Sequence, residues 1–363
     1  MARFDDRPFI AIWETTQACD LACAHCRACA QPERDRDELD TGEAKRLLDR
    51  FAEAHVPLVI LTGGDPAKRP DLLELVEHGA KRGLVMGLTP SATPLVTPEL
   101  VQELARAGLS RLAISIDASG PALHDSFRGV DGSFTHSLRI LQAARAAGIS
   151  TQINTSVHAG NIAALGDMVP LVRETGVALW SVFFIVPTGR AAERMLPTPE
   201  AVESALELLA DTAEREHFSI KTTAAPHYRR VLSQRKKETG HAPEHGTRGK
   251  QGFRVNDGRG FLFVSHRGDV FPSGFLPVKC GNVRERDVIE IYRDHPTFRT
   301  LRDPEQLRGK CGACEYKQIC SGSRARAFAM TGDLAEWDSL CAYVPPGYEA
   351  EHEQAERERA LRP

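Results

Sequence analysis

Between residues 9 and 215 the chain alternates short apolar runs with amphipathic stretches six times, and this rhythm limits the available folds more than any other feature. The runs fall at 9–16, 58–62, 84–89, 111–117, 150–157 and 178–186, each the length of one buried strand. Helical spacing follows each run. In 41–54, for example, Leu47, Leu48, Phe51 and Ala52 share one face. The punctuation agrees: Thr97 before Pro98 opens a helix, and Gly83, Gly108 and Gly148 stand where three others should stop. Such alternation gives a parallel sheet with right-handed crossovers. Pattern alone leaves two α/β architectures, an open doubly wound sheet and a partial (β/α)6 barrel of the TIM type.

The cysteines favour the barrel. Cys19, Cys23 and Cys26 form a C-x3-C-x2-C triplet directly after the first run, and barrel chemistry gathers at the C-terminal ends of strands. Three thiolates in one short loop cannot complete a tetrahedral zinc site without a distant fourth ligand. They suit a 4Fe–4S cluster, in which each thiolate takes one iron and the fourth iron stays open to a small molecule. A second set, Cys311, Cys314, Cys320 and the later Cys341, supplies four thiolates, enough to close either a cluster or a zinc site.

Composition narrows the setting. The N-terminus shows Asp5, Asp6 and Glu14 rather than a basic and then apolar leader, so nine cysteines in this chain read as metal ligands, not disulfides. A cytoplasmic protein with oxygen-sensitive centres is expected. The apolar run 177–186 is too short to span a bilayer, which predicts no membrane partner. A net charge of −3 argues against binding a nucleic-acid polymer. With 363 residues, one large domain and a smaller one are expected.

The triplet, with His25 just before its last cysteine, resembles the cluster loop of radical S-adenosylmethionine (SAM) enzymes. That resemblance implies a partial (β/α)6 barrel whose open iron chelates the amino and carboxylate groups of SAM, and whose reduced cluster splits the sulfonium to a 5′-deoxyadenosyl radical. Gly63, Gly64, Asp65 and Pro66 resemble the family's Gly-Gly-Glu-Pro turn, which binds the methionine end of SAM; Asp65 replaces the usual Glu. By the same resemblance, Ser115 and Asp117 contact the ribose or carboxylate of SAM, and Arg128 pairs with that carboxylate. Plain strand-end polarity and a loop arginine are the alternatives. Asn154 and Ser156 are further candidates on the fifth strand. Residues 180–186 offer the adenine an apolar wall, and His25 either stacks on that adenine or is a solvated loop residue.

The C-terminal segment around Cys311, Cys314 and Cys320 resembles the SPASM extension of that family, which binds auxiliary clusters. Full members carry more cysteines. Ser323 or Arg324 stands where one is usual, and Pro272 is followed by Ser273. One auxiliary 4Fe–4S cluster is therefore expected, on Cys311, Cys314, Cys320 and Cys341. Cys280 is a weak catalytic candidate, with filling of an apolar gap the preferred role, and Cys29 is expected to be structural. The expected division is barrel 1–232, linker or lid 233–252, auxiliary SPASM- or twitch-like domain 253–345 and charged tail 346–363. His241 and His245 read as linker residues rather than a metal pair. Arg324 and Arg326 read as a carboxylate- or phosphate-binding pair, or equally as a solvated helix face.

Residues 12–30 are especially similar to a subgroup that includes enzymes of the alternative heme route. The resemblance implies hydrogen abstraction from a small molecule or tetrapyrrole, for example in oxidative decarboxylation of porphyrin propionates, although no residue stands out as an axial heme ligand. Sulfur insertion into a nucleotide or sugar precursor, peptide maturation and a non-enzymatic iron–sulfur carrier are the alternatives. Expected partners are a small-molecule substrate and a reductant such as flavodoxin or ferredoxin.

Overall fold

Strands β1 (Ile10–Glu14), β2 (Leu58–Thr62), β3 (Val85–Leu88), β4 (Leu109–Ser115), β5 (Ser150–Val157), β6 (Leu179–Phe184) and β7 (Ser219–Thr223) lie side by side in chain order, every neighbour parallel. The computed structural model describes residues 4–239 and 255–348. A doubly wound sheet would reverse its strand order partway; this one does not, and it forms the wall of a partial barrel.

The six expected strands are all present. The fourth is displaced toward its N-terminus, because the Asp117 N–H leaves the ladder and donates to His124 Nδ1 (3.1 Å). Two features were not anticipated. Ser219–Thr223 adds a seventh parallel strand, although its polar Lys-Thr-Thr ending carries little strand signal. The hairpin strand β8 (Phe261–Val264) then pairs in parallel with β1, and β9 (Asp269–Phe271) and β10 (Gly281–Asn282) extend the sheet beyond it. The C-terminal region therefore continues the barrel sheet, covering the β1 edge that would otherwise stand open.

Local chemistry explains the helices. Helix Thr41–Glu53 starts at Asp40, whose carboxylate accepts from Glu43 N while Glu43 returns a bond to Asp40 N, a capping box. Ala44, Leu47, Leu48 and Phe51 form its buried face. Thr97 caps helix Pro98–Arg106 by accepting from Leu100 N. Gly83, Gly108 and Gly148 follow their helices at φ of 84°, 98° and 76°, the left-handed stop that glycine permits without strain. Helix His227–Thr239 carries ordered structure seven residues into the segment expected as linker or lid. His241, His245 and the charged tail from residue 349 lie outside the described residues.

The two faces of the sheet differ. Trp13, Val59, Leu61, Ile153, Trp180 and Val182 pack under the helices, all fully buried. The alternate residues line the concave side. Pairing in register sets Ser115, Asn154, Ser181 and Lys221 in one row across β4 to β7, with Ser156, Phe183 and Thr223 one step nearer the C-terminal ends.

Candidate metal centre and its cavity

The cysteine loop leaves β1 and is bound to the end of β2. Thr15 N donates to Thr62 O (2.7 Å), Gly64 N to Thr16 O (2.8 Å) and Asp65 N to Ala18 O (2.6 Å). This approach requires the two glycines: a Cβ on Gly63 would stand 2.5 Å from Thr16 O, and one on Gly64 2.6 Å from Gln17 O. Asp65 turns inward rather than to the cavity. Its carboxylate accepts from Thr93 Oγ1 (2.6 Å), Ala67 N (3.1 Å) and Ser91 N (3.3 Å), so its work is to hold the turn after β3. Burial pushes its carboxyl up, against those bonds. Pro66 opens the short 3-10 turn Pro66–Lys68 and is buried.

Cys19, Cys23 and Cys26 together line a cavity of about 190 Å3, joined by Gly63, Gly64 and Ser91. Each thiol meets a donor: Leu21 N with Cys19 (3.4 Å), Ala30 N with Cys26 (3.5 Å), and Arg128 Nη1 with Cys23 (3.8 Å). N–H groups aimed at sulfur suit thiolates held by a cluster. Ser91, which sequence reasoning missed, lies 3.3 Å from Cys19 Sγ and donates to Gly64 O (2.8 Å). Its signal was the polar Thr-Pro-Ser-Ala-Thr run after the third strand.

Arg128 and Asp117 meet at this wall. The Arg128 Nε donates to Asp117 Oδ2 (2.6 Å), and Ser156 N donates to Asp117 Oδ1 (2.7 Å). Burial would raise Asp117, but Arg128, with the Ser156 N–H, keeps its carboxyl below the ordinary range. His25 is half-buried on the wall of the first cavity and has one ring face covered: it stacks on Phe127 (4.1 Å, 5°), which stacks in turn on His158 (4.4 Å). His25 Nε2 stands 3.2 Å from Ser156 Oγ, while Nδ1 is buried without a partner. Burial, with the nearby Arg128 charge, pushes His25 down to about 3, so the ring is neutral.

A second cavity of about 140 Å3 shares Gly63, Gly64, Ser91 and Arg128 with the first and adds Ser115 and His124. Asn154 is the register partner of Ser115 on β5, its Oδ1 accepting from Gln152 Nε2 (2.6 Å). Phe183, Phe184, Ile185 and Val186 form an apolar wall of the first cavity, as expected of the sixth strand. Cys29 is exposed, at φ 48°, rather than packed. Cys280 lies in the main core, far from catalytic duty: burial pushes its thiol up to about 12, and it lines neither of these cavities.

Cys311, Cys314, Cys320 and Cys341 line a third cavity, with His227 and Trp337. Again the sulfurs meet donors: Tyr316 N with Cys314 (3.4 Å), Gly322 N with Cys320 (3.4 Å), and Arg324 Nη2 with Cys311 (3.5 Å). Burial raises all four thiols, Cys314 to about 11 and Cys341 to about 12, and the thiolates repel one another. Four cysteines gathered round one cavity are a donor set that a cluster would fit, since a bound metal would hold them as thiolates against the burial that otherwise keeps them protonated. Among the described residues no three His, Cys, Asp or Glu side chains converge as the ligands of a single ion would. Arg324 and Arg326 are neither substrate-facing nor solvated. Both are buried, with Arg324 bonded to Leu334 O and Glu336 O, and Arg326 to Asp338. Among the described residues, no helix is long and apolar enough to cross a membrane.

Known proteins resemble this arrangement. The sequence model of the radical SAM superfamily matches residues 13–162. The AdoMet-dependent heme synthase of Methanosarcina barkeri is 41% identical, over 95% of this chain and 99% of that protein. The AdoMet-dependent heme synthase of Oleidesulfovibrio alaskensis is 42% identical, over 92% and 87%. In fold, the chain is similar to Streptococcus suis SuiB bound to S-adenosylmethionine, with a TM-score of 0.72, 17% identity, and coverage of 93% of this chain and 78% of that one.

Proposed function

The chain belongs to the radical SAM superfamily and is an enzyme, and from that premise we propose that it decarboxylates propionate side chains of an iron porphyrin. One observation carries this reading: the near end-to-end likeness, at 41% identity, to a protein named AdoMet-dependent heme synthase. Enzymes of the superfamily use a 4Fe–4S cluster and SAM, which when bound supply a 5′-deoxyadenosyl radical able to take a hydrogen atom.

Cys19, Cys23 and Cys26 would hold that cluster, and Cys311, Cys314, Cys320 and Cys341 one auxiliary cluster. In this reading Gly63 and Gly64 present backbone to the methionine end of SAM while Asp65 and Pro66 keep their turn in place. Ser115 and Arg128 face its carboxylate, Asp117 orients Arg128, and Asn154 supports the floor below. The Phe127 stack fixes His25 so that one ring face remains for adenine. Phe183, Val186 and Phe275 keep water from the reacting centre. Loss of a hydrogen atom to the 5′-deoxyadenosyl radical, of carbon dioxide, and of one electron, for which the auxiliary cluster would be the acceptor, converts a propionate to a vinyl group. A flavodoxin- or ferredoxin-like reductant and a cytoplasmic setting complete the proposal, with residues 253–345 as the auxiliary-cluster region.

The test is product analysis under anaerobic turnover with coproheme, a panel of nucleotides and sugars, and short peptides offered in parallel. Stepwise loss of carbon dioxide from coproheme alone supports the reading. Turnover of a peptide or sulfuration of a nucleotide, with coproheme untouched, would overturn it.

A further inference from the structure

Buried nitrogens without acceptors gather at the second cysteine set. His227 and Arg230, one turn apart on helix His227–Thr239, line its cavity beside Cys311, Cys314, Cys320 and Cys341. Both are almost wholly buried, at 1% and 3% exposure. Arg324, equally buried, meets Cys311 Sγ through Nη2 (3.5 Å). Among the described residues, Arg230 Nε, Arg324 Nε and His227 Nδ1 have no hydrogen-bond partner. Buried donors are rarely left so, and a redox centre that accepts from them is one physical reason.

Arg230 carries the argument furthest, because it comes from a barrel helix and its outer nitrogens are already engaged. Nη1 donates to Gln234 Oε1 (2.6 Å), Nη2 donates to the Glu203 carboxylate, and the guanidinium lies over the Tyr343 ring, 4.9 Å from its centre. These contacts hold the side chain in place and leave Nε to donate elsewhere. Burial works against its charge, but Glu203, and after it Cys341 and Cys320, hold its value up. Burial raises Cys314 and Cys341 in turn, and the Arg230 charge opposes that rise at both. The first cysteine set is balanced differently. There Arg128 is matched by Asp117, a carboxylate only 2% exposed, whereas the Glu203 side chain is 28% exposed and solvent screens it.

A 4Fe–4S centre gains one negative charge on reduction, so a cation and N–H donors beside its sulfurs favour the reduced form. Resting on the auxiliary cluster and the decarboxylation read above, we propose that Arg230 sets the potential of that cluster, its charge and its Nε–H raising it so that the substrate radical can be oxidised. The electrons balance. Once a hydrogen atom has gone to the 5′-deoxyadenosyl radical, breaking the bond to the carboxylate forms carbon dioxide and the vinyl double bond. The one electron left over reduces the auxiliary centre.

The test is an anaerobic redox titration followed by electron paramagnetic resonance, with Cys19, Cys23 and Cys26 replaced by Ala so that only the auxiliary centre responds. Arg230→Met should lower the midpoint by about 59 mV or more, a tenfold change in the ratio of reduced to oxidised centre. Arg230→Lys, which keeps the charge, should fall between the two. An unchanged midpoint in Arg230→Met with its iron intact overturns the inference. A second arm needs no large change of side chain. Pulsed measurement on the reduced, 15N-arginine-labelled protein should show a nitrogen coupling that Arg230→Lys removes. No arginine coupling in the unsubstituted Arg230 protein, or none lost in Arg230→Lys, also overturns it, as does the absence of redox-active auxiliary iron. A lowered midpoint where wild type leaves coproheme untouched keeps the role of Arg230 and sinks the porphyrin reading. Decarboxylation of coproheme with an unmoved midpoint keeps that reading and sinks the role of Arg230.

Discussion

Arg326 and Asp338 form an ion pair from which water is wholly excluded, with Nε donating to Oδ1 at 2.8 Å and Nη2 to Oδ2 at 2.9 Å. The same guanidinium donates to Ile185 O (3.1 Å) and Ala224 O (2.7 Å), at the ends of β6 and β7. Asp338 also accepts from Ser323 N (2.7 Å) and Leu340 N (3.2 Å), flanking Cys320 and Cys341. One pair therefore fastens the second cysteine set to the rim of the barrel.

Removing one partner leaves the other charge buried. Asp338→Asn is expected to cost about 3–5 kcal/mol in denaturant unfolding of the cluster-loaded protein, with loss of auxiliary iron. The double change Arg326→Leu with Asp338→Leu should recover part of that stability, because no lone charge remains. Equal stability of Asp338→Asn and wild type would contradict this role.

Gly64→Ala tests the seam between the cysteine loop and β2. The new Cβ would stand 2.6 Å from Gln17 O, a backbone atom that cannot swing aside. The expected outcome is loss of about four irons per chain and of SAM binding, with the auxiliary iron retained. Iron analysis and equilibrium dialysis with SAM check it.

Glu14 and His266 give a pH dependence. His266 Nδ1 donates to Glu14 Oε1 (2.7 Å), and Arg27 Nη2 donates to Glu14 Oε2 (2.7 Å), linking the cysteine loop to the β8–β9 hairpin. Burial works against the charge on His266, but the Glu14 carboxylate outweighs it and the imidazole is raised above its ordinary value. The stabilisation is then fully present below the unfolded value of about 6.5. It is lost as pH rises through the folded value. His266→Gln should flatten the fall of stability with pH above about 6.5, as read by thermal unfolding across a pH series. A fall of equal slope in both proteins would count against the link.

For the second cysteine set, replacing Cys314 and Cys320 together by Ala should remove about four irons per chain while leaving SAM binding intact. Full retention of iron would reassign the ligands.

Much of this was legible because it depends on local pattern. The six strand–helix units and both cysteine sets follow from spacing, and the Asp40 cap and the stops at Gly83, Gly108 and Gly148 from single residues. What escaped depends on tertiary partners. Asp65 stands where the family's turn has Glu, yet Thr93 and Ser91, 28 and 26 residues away, draw its carboxylate inward. Arg324 and Arg326 read as exposed because nothing nearby in the chain shows that Asp338 and the carbonyls of Ile185 and Ala224 would enclose them. β8 against β1 joins residues some 250 apart, a pairing with no local signal.

The central claim is that Cys19, Cys23 and Cys26 hold the centre that cleaves SAM. Its most direct test is anaerobic mass-spectrometric measurement of 5′-deoxyadenosine from the cluster-loaded protein with SAM and dithionite, beside a Cys23→Ala control. Formation in wild type, raised by coproheme and absent in the control, is the expected result. No 5′-deoxyadenosine from protein with its full iron content, or equal amounts with and without Cys23, would contradict the account.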